Sequence, residues 1–230
     1  ELEREKLASQ AQTWVNTRLT FTHGYGVVMN PVNSVTIDGL PELFIQDIPP
    51  VTSIDIPLEN TAVYYGEQMP GQISNATTQR GARPLNSELS DYVIVKTKNP
   101  EFDYPMGDQN KEIFYAGDGG VWMGSLFRRA LFAWGFKDLN ILLTSATTKD
   151  SRVMFRRNIR QRIEHIAPFL ELDNDPYIVL HDGRLFWIQD AYTSSRDYPY
   201  SHPVSYRRTP INYIRNSVKI VVDAYDGSVD

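Results

Sequence analysis

Residues 177–203 read "YIVLHDGRLFWIQDAYTSSRDYPYSHP". Two apolar runs, Tyr177 to Leu180 and Leu185 to Ile188, flank the dipeptide Asp182-Gly183. Asp-Gly accepts the positive φ angles that both central positions of a tight turn demand, so this spacing predicts an antiparallel hairpin. Beyond it, Arg196, Asp197, Pro199 and Pro203 predict a stiff surface loop. Tyr192, Tyr198 and Tyr200 are expected to lay their rings on the body with hydroxyls wet; exposed rings would point instead to a stacking platform for sugar or peptide. The last element, "SVKIVVDAYDG", alternates Val218, Ile220, Val222 and Ala224 on one face, a strand that ends at a second Asp-Gly.

The same texture extends through residues 19–118, where short apolar runs such as "TAVYYG", "DYVIVKT" and "KEIFYAG" alternate with turn residues. Within them, residues 67–90 carry little but Gly, Pro, Ser, Thr, Asn and Gln, which predicts a long exposed loop. Residues 119–167 change period. Leu126, Ala130 and Trp134 recur at i+4, as do Met123, Phe127 and Leu131, predicting a helix buried over most of its girth with Arg128 and Arg129 at its wet edge. "KDLNILLTS" predicts a second short buried helix or a continuation of the first. "TTKDSRVMFRRNIRQRIEHIAPFL" predicts an amphipathic helix with Phe155, Ile159, Ile163 and Ile166 in one stripe, closed by Pro168. Residues 1–18 are rich in helix formers and predict a helix leading in from upstream.

The chain has 230 residues, 41% hydrophobic and 22% charged, with fourteen glycines and fourteen prolines. That suits one core built mainly of strands and turns. The absence of cysteine excludes disulfides, a cysteine-type zinc site and a thiol nucleophile. The longest stretch without Asp, Glu, Lys or Arg, Leu19 to Ile37, holds His23, Pro31, two asparagines and two glycines, and is no membrane helix. Opening on Glu1 with no secretory leader, the chain reads as a fragment of something longer.

Net charge is −5, unevenly spread: Val121 to His165 holds nine Lys and Arg against three Asp and Glu, net +6, which leaves −11 elsewhere. A basic helical segment docked on an acidic scaffold accounts for this; an anionic headgroup surface is the alternative. Arg152, Arg156 and Arg160, four apart, share one helix face if that helix forms, and like charges there need anionic partners. Acidic loops of the same chain are the expected partners, and an external anionic ligand the other. With a pI of about 5.4 and no aromatic-basic motif, nucleic acid is not expected.

No catalytic motif emerges. The histidines His23, His165, His181 and His202 show no H-E-x-x-H or i+4 pairing. His165 reads as a packed or capping residue and His181 as exposed. His23, in "THGYG", is the least explained, since Gly24 and Gly26 let backbone approach it. No G-x-S-x-G surrounds a serine, and Ser125 reads as a first-turn residue. "AGDGGVWMGS" lacks the Lys-Ser of a P-loop, and its Asp118 would repel phosphate. Asp173 and Asp175, like Glu101, Asp103 and Asp108, form carboxylate groups without the full calcium-loop pattern.

Together, "QAQTWVNTRLTFTHGYGVVMNPVN", "EFDYPMGD", "GGVWMGSLFRRALFA", "SRVMFRRNIRQRIEHIAPFLELDNDPYIVL", "GRLFWIQDAYTSSRDYPYS" and "NYIRNSVKIVVDAYDG" resemble consecutive blocks of uncharacterised protein family 0182, bacterial multi-pass membrane proteins. The resemblance implies about seven membrane helices upstream and a long region outside the cytoplasm, of which this chain is the middle. It brings no activity or catalytic residue. Residues 67–90 run longer than the corresponding link in the family, as a tolerant surface loop does.

The expectation is an α+β fold in a single unit over residues 1–230, with a mainly antiparallel sheet, hairpins, a packed pair of helices between about Val121 and Ala167, and C-terminal strands over 168–230. Its expected role is an extracytoplasmic domain of a multi-pass membrane protein, for interaction or ligand sensing, with no catalytic, cofactor or metal residue assigned. Expected partners are the membrane-spanning part of the same protein, envelope proteins, or an anionic ligand at the arginine-rich helix. The alternative is a hydrolase or transferase acting on an envelope glycan or lipid, with His23, His165, Asp173 and Asp175 as its reagents.

Overall fold

The computed structural model describes residues 12–67, 69, 91–107, 109–207 and 209–230. Residues 1–11 of the expected first helix, most of the loop expected at 67–90, and Asp108 lie outside the described residues. The strands in chain order are β1 (Gly24–Tyr25), β2 (Ile45–Gln46), β3 (Val51–Thr52), β4 (Leu58–Asn60), β5 (Ala62–Val63), β6 (Val93–Val95), β7 (Glu101–Met106), β8 (Gln109–Ile113), β9 (Val121–Trp122), β10 (Arg152–Met154), β11 (Glu171–Leu172), β12 (Tyr177–His181), β13 (Gly183–Ser195), β14 (Val204–Tyr206), β15 (Thr209–Ile211) and β16 (Tyr213–Asp223). The α-helices are α1 (Leu126–Phe136), α2 (Asn140–Leu143) and α3 (Ile159–Ile166), and a π-helical segment, Asn16–Thr20, lies at the end of the expected first helix. This is the expected α+β class, with antiparallel pairing dominant.

The Asp-Gly hairpin forms as its sequence dictates. Leu180 faces Leu185 and His181 faces Arg184 across a two-residue turn, in which Asp182 and Gly183 take φ of 46° and 74°. Its second strand, β13, is far longer than the Leu185–Ile188 run and forms the spine of the largest sheet. One edge pairs with β12 and β11, the other with β16 antiparallel and β4 parallel. The alternation read in the last strand holds: Ile220, Val222 and Ala224 are buried. Tyr192 lies within β13 rather than in the following loop and donates its hydroxyl to Asp173 at 2.7 Å. Tyr198 stacks on Tyr213 with centroids 4.7 Å apart, while Tyr200 is fully exposed and departs from the packing expected of it.

A three-stranded sheet, β6-β10-β9, divides the interior into two cores. Alternation along β6 sends Val93 and Val95 into one with Tyr64, Tyr65, Met154, Ile163 and Val222, and Ile94 into the other with Leu19, Met123, Ala133 and Ile141. This sheet overturns the amphipathic helix expected over residues 147–168. Arg152–Met154 is a central strand, Arg156 takes a left-handed φ of 51°, and the helix begins only at Ile159, where Asn158 Oδ1 accepts the amide of Gln161 as N-cap. A strand buried on both faces and a buried helical turn look alike in periodicity, and Val153 pairing with both Ile94 and Val121 decides for the strand.

The arginines therefore share no helix face. Arg152 donates to the carbonyls of Gly119 and Gly120, Arg156 lies over the Phe155 ring, and only Arg160 sits on α3, with Nε 3.5 Å from Glu164 and Nη1 bonded to the carbonyl of Asp173. Arg160 thus meets an acid of this chain, Glu164 on its own helix, while the acidic loop at Asp173 offers it a backbone carbonyl and the Asn174 side chain rather than a carboxylate.

Helix α1 starts at Ser125, an N-cap rather than a first-turn residue, whose Oγ accepts the amide of Arg128. Phe132, Ala133 and Phe136 face the core, but Leu126, Phe127, Leu131 and Trp134 are exposed, so the helix is not buried over most of its girth. Just ahead of it the chain passes so close to the turn at Lys149 that a Cβ on Gly124 would stand 1.9 Å from the Lys149 carbonyl oxygen. Gly124→Ala is expected to cost about 1–3 kcal/mol by forcing that backbone apart, read as a lowered midpoint in urea unfolding.

Candidate functional site

Three short segments meet on buried polar groups. Thr22 and His23 end the chain's approach to β1, whose antiparallel partner β5 leads straight into Tyr64. The third, β7, alternates inward and outward, so Glu101 and Asp103, two apart, point to the same interior. Phe102 pairs with Glu112 and Tyr104 with Lys111, which leaves Asp103 without a partner residue in β8, in a β-bulge that re-aims its side chain.

His23 is buried and stacked on Tyr64, ring centroids 4.6 Å apart. Its Nδ1 lies 2.9 Å from Thr22 Oγ1 and its Nε2 3.3 Å from Asp103 Oδ1. Thr22 gives its single hydroxyl proton to Glu101, which leaves its oxygen to accept from Nδ1–H, while Nε2 faces the Asp103 carboxylate; the arrangement favours the doubly protonated imidazolium. Burial alone would push the imidazole down, but hydrogen bonds to Asp103 and Glu101 and the charges of both carboxylates outweigh it and hold the group above its ordinary 6.5.

Glu101 is the hub. It accepts from Thr22, from the Tyr64 hydroxyl at 2.8 Å and from the Tyr115 amide at 3.2 Å. Burial first, then the Glu101 charge and hydrogen bond, push the Tyr64 hydroxyl well above the usual phenol range, so Tyr64 stays a donor. Arg157, also buried, secures the same segments: Nε donates to the Tyr64 carbonyl at 2.8 Å, Nη2 to the Thr22 carbonyl at 2.6 Å, and Nη1 lies 3.9 Å from Asp91.

Asp103 also opens on a cleft of about 290 Å³, lined by Tyr25, Pro50, Leu58, Glu59, Asn60, Thr61, Ala62, Asp103, Ile113 and Phe114. The lining holds two carboxylates and no Lys or Arg. Both ring nitrogens of His23 are occupied within the cluster, so no ring lone pair faces a molecule in the cleft, and what the arrangement offers is an anionic seat for a small cation.

Of the four reagents nominated from sequence, His23 alone joins this cluster. His165 is exposed in the last turn of α3 and bonds through Nδ1 back to the Gln161 carbonyl one turn earlier, inside the helix, so it is not the packed or capping residue expected. Asp173 accepts from Tyr192 and the Asn174 amide, which hold its carboxyl below the usual range, and Asp175 is exposed. Among the described residues no three His, Asp or Glu side chains are grouped to hold a metal. The explanation for His23 resting on close approach at both glycines does not hold: Gly24 meets only the Val63 carbonyl, at 3.9 Å, and Gly26 is required by its φ of 99°. Thr22, Tyr64 and Arg157 carried no sequence signal. Glu101 and Asp103 did, as E-x-D in a segment that alternates as a strand.

The sequence profile of the Uncharacterised protein family (UPF0182) matches residues 1–230. Over the whole chain, a UPF0182 protein of Sulfurovum sp. is 51% identical, one of Pelotomaculum thermopropionicum 49%, and one of Trichodesmium erythraeum 41%. The chain spans 23% of the length of the first two and 24% of the third. No solved structure matches it. The match along the full chain at these identities establishes that the chain belongs to family UPF0182.

Proposed function

We propose that this chain is a ligand-sensing domain of a larger multi-pass membrane protein, displayed outside the cytoplasm, and that its ligand is a small organic cation held in the Asp103 cleft. The observation that carries the ligand is the position of Asp103, shared between the buried His23 ring and a cleft whose other charge is Glu59 and whose lining includes Tyr25 and Phe114. Two carboxylates with no Lys or Arg, in a lining that includes aromatic residues, favour an ammonium group, and about 290 Å³ limits it to a small molecule. The remaining three quarters of the relatives' length leaves room for a membrane part to receive the signal. Among the described residues no helix is long and apolar enough to cross a membrane.

Calorimetric titration with primary and quaternary ammonium compounds, each beside its neutral alcohol and its carboxylate, tests the site. Amines are expected to bind and their neutral analogues not, with Asp103→Asn weakening the amine at least ~10-fold through loss of a charged hydrogen-bond partner. Amines that fail to bind, or bind Asp103→Asn equally well, would overturn the assignment. Topology is read separately, by placing an accessibility tag in the surface loop at residues 196–203 of the full-length protein in its native membrane.

A further inference from the structure

The outer face of α1 and α2 has no covering. Along α1, Leu126, Phe127, Leu131 and Trp134 fall within one side of the helix, and Leu139 and Leu143 continue the surface through α2. All six are exposed, Trp134 at 82% and Leu143 at 79%. Monomeric proteins seldom leave so continuous an apolar surface to water without a use for it. The platform is firmly built. Arg129 reaches across to the carbonyls of Ile141, Leu142 and Thr144, the Ser125 cap fixes one end of α1, and Lys137 in left-handed backbone closes the other.

Charge selects the occupant. The apolar face carries no charged side chain, and the exposed charges at the two ends of α1 are both cations, Arg128 and Lys137. Arg128 stands over the ring of Trp122, itself exposed, 5.0 Å from its centroid, which adds an aromatic group to the rim. Of the exposed acids nearby in sequence, Asp118 precedes β9 and pairs with Lys96 at 3.6 Å and Asp150 lies past α2, while Asp138 is engaged by Trp14 and Tyr92. Protruding Trp, Phe and Leu side chains, a basic margin and a helix of 11 residues match a segment that lies in the plane of a bilayer with its apolar side among acyl chains and its cations at the headgroups.

We infer that α1 and α2 form a lipid-docking surface that seats this domain on an anionic bilayer, with Trp134 at its centre and Arg128 and Lys137 at the headgroups. The inference does not depend on the cation cleft, which is built from other elements.

Co-sedimentation with vesicles of phosphatidylcholine alone, or mixed with phosphatidylglycerol, tests it. Binding to the anionic vesicles is expected to exceed that to the neutral ones at least ~10-fold at low salt and to weaken as salt screens the rim. Phe127→Ser with Trp134→Ser is expected to lower anionic binding at least ~10-fold, and Arg128→Gln with Lys137→Gln to abolish the preference for anionic lipid while keeping weak neutral binding. All four side chains are exposed, and unchanged thermal melts verify that the variants fold. Brominated lipids are expected to quench wild-type fluorescence and to quench Trp134→Phe much less. Absence of binding to either vesicle, or equal binding by the Phe127/Trp134 variant, would overturn the inference. So would a concentration-dependent dimer in light scattering that this variant abolishes, since the face would then belong to a second copy of the chain.

Discussion

Arg157→Leu is expected to destabilise the fold by about 3–5 kcal/mol, the range for removing one member of a buried charged arrangement while its partners remain. The Arg157 side chain is the largest of those fully buried among the described residues, and its guanidinium ties three distant segments together: the Tyr64 carbonyl, the Thr22 carbonyl and the Asp91 carboxylate. Leucine fills part of the volume but leaves two carbonyls without their donor and removes the cation 3.9 Å from the Asp91 carboxylate. Arg157→Lys keeps a charge yet cannot fork to both carbonyls, and should recover only part of the loss. Urea unfolding of the three proteins measures this; a cost below about 1 kcal/mol for the leucine variant would mean that the guanidinium is not a structural tie.

Glu101→Gln is expected to be nearly as costly and to change how stability depends on pH. The carboxylate accepts from Thr22, Tyr64 and Tyr115 and neighbours the His23 imidazolium. An amide keeps one acceptor oxygen, turns a donor toward hydroxyls that are themselves donors, and removes a charge, at an expected cost of about 2–4 kcal/mol near pH 6. His23 binds its proton more tightly when folded than its ordinary 6.5. Its contribution is therefore complete below that value and is lost as pH rises through the folded value. In Glu101→Gln one of the groups raising it is gone, so stability should fall less between pH 6 and 9 than in the wild type, and His23→Gln should flatten the same window. Unfolding measured across that range checks the sign: wild-type stability increasing with pH through it would contradict the imidazolium.

The hairpin at Asp182-Gly183, the strand that stops at Asp223 just ahead of the Asp226-Gly227 turn and the short helix after Lys137 were all legible in the residues, because each is decided locally: a turn that needs positive φ, or a period that one element satisfies alone. The stretch from Arg152 to Ile166 was not. Its apolar spacing fits a helix, and only the strands on either side of Val153 make it a strand as far as Met154. With that helix went the arginine column, and the arginine that matters most, Arg157, was hidden among its neighbours "FRRN". The candidate site was half legible. His23 stood out as unexplained and Glu101 with Asp103 as paired acids, but nothing in 230 residues placed them together.

By itself, then, the sequence determined the α+β class, the antiparallel hairpins and membership of its family, since these follow from local backbone preference and from the order of residues. Tertiary structure alone decided that His23 meets Asp103 across 80 positions of chain, that Arg157 is buried, and that one side of α1 faces outward. Those outcomes depend on which surfaces are left to pair once the two cores have filled. Such competition among distant segments leaves no mark on the periodicity of any one of them.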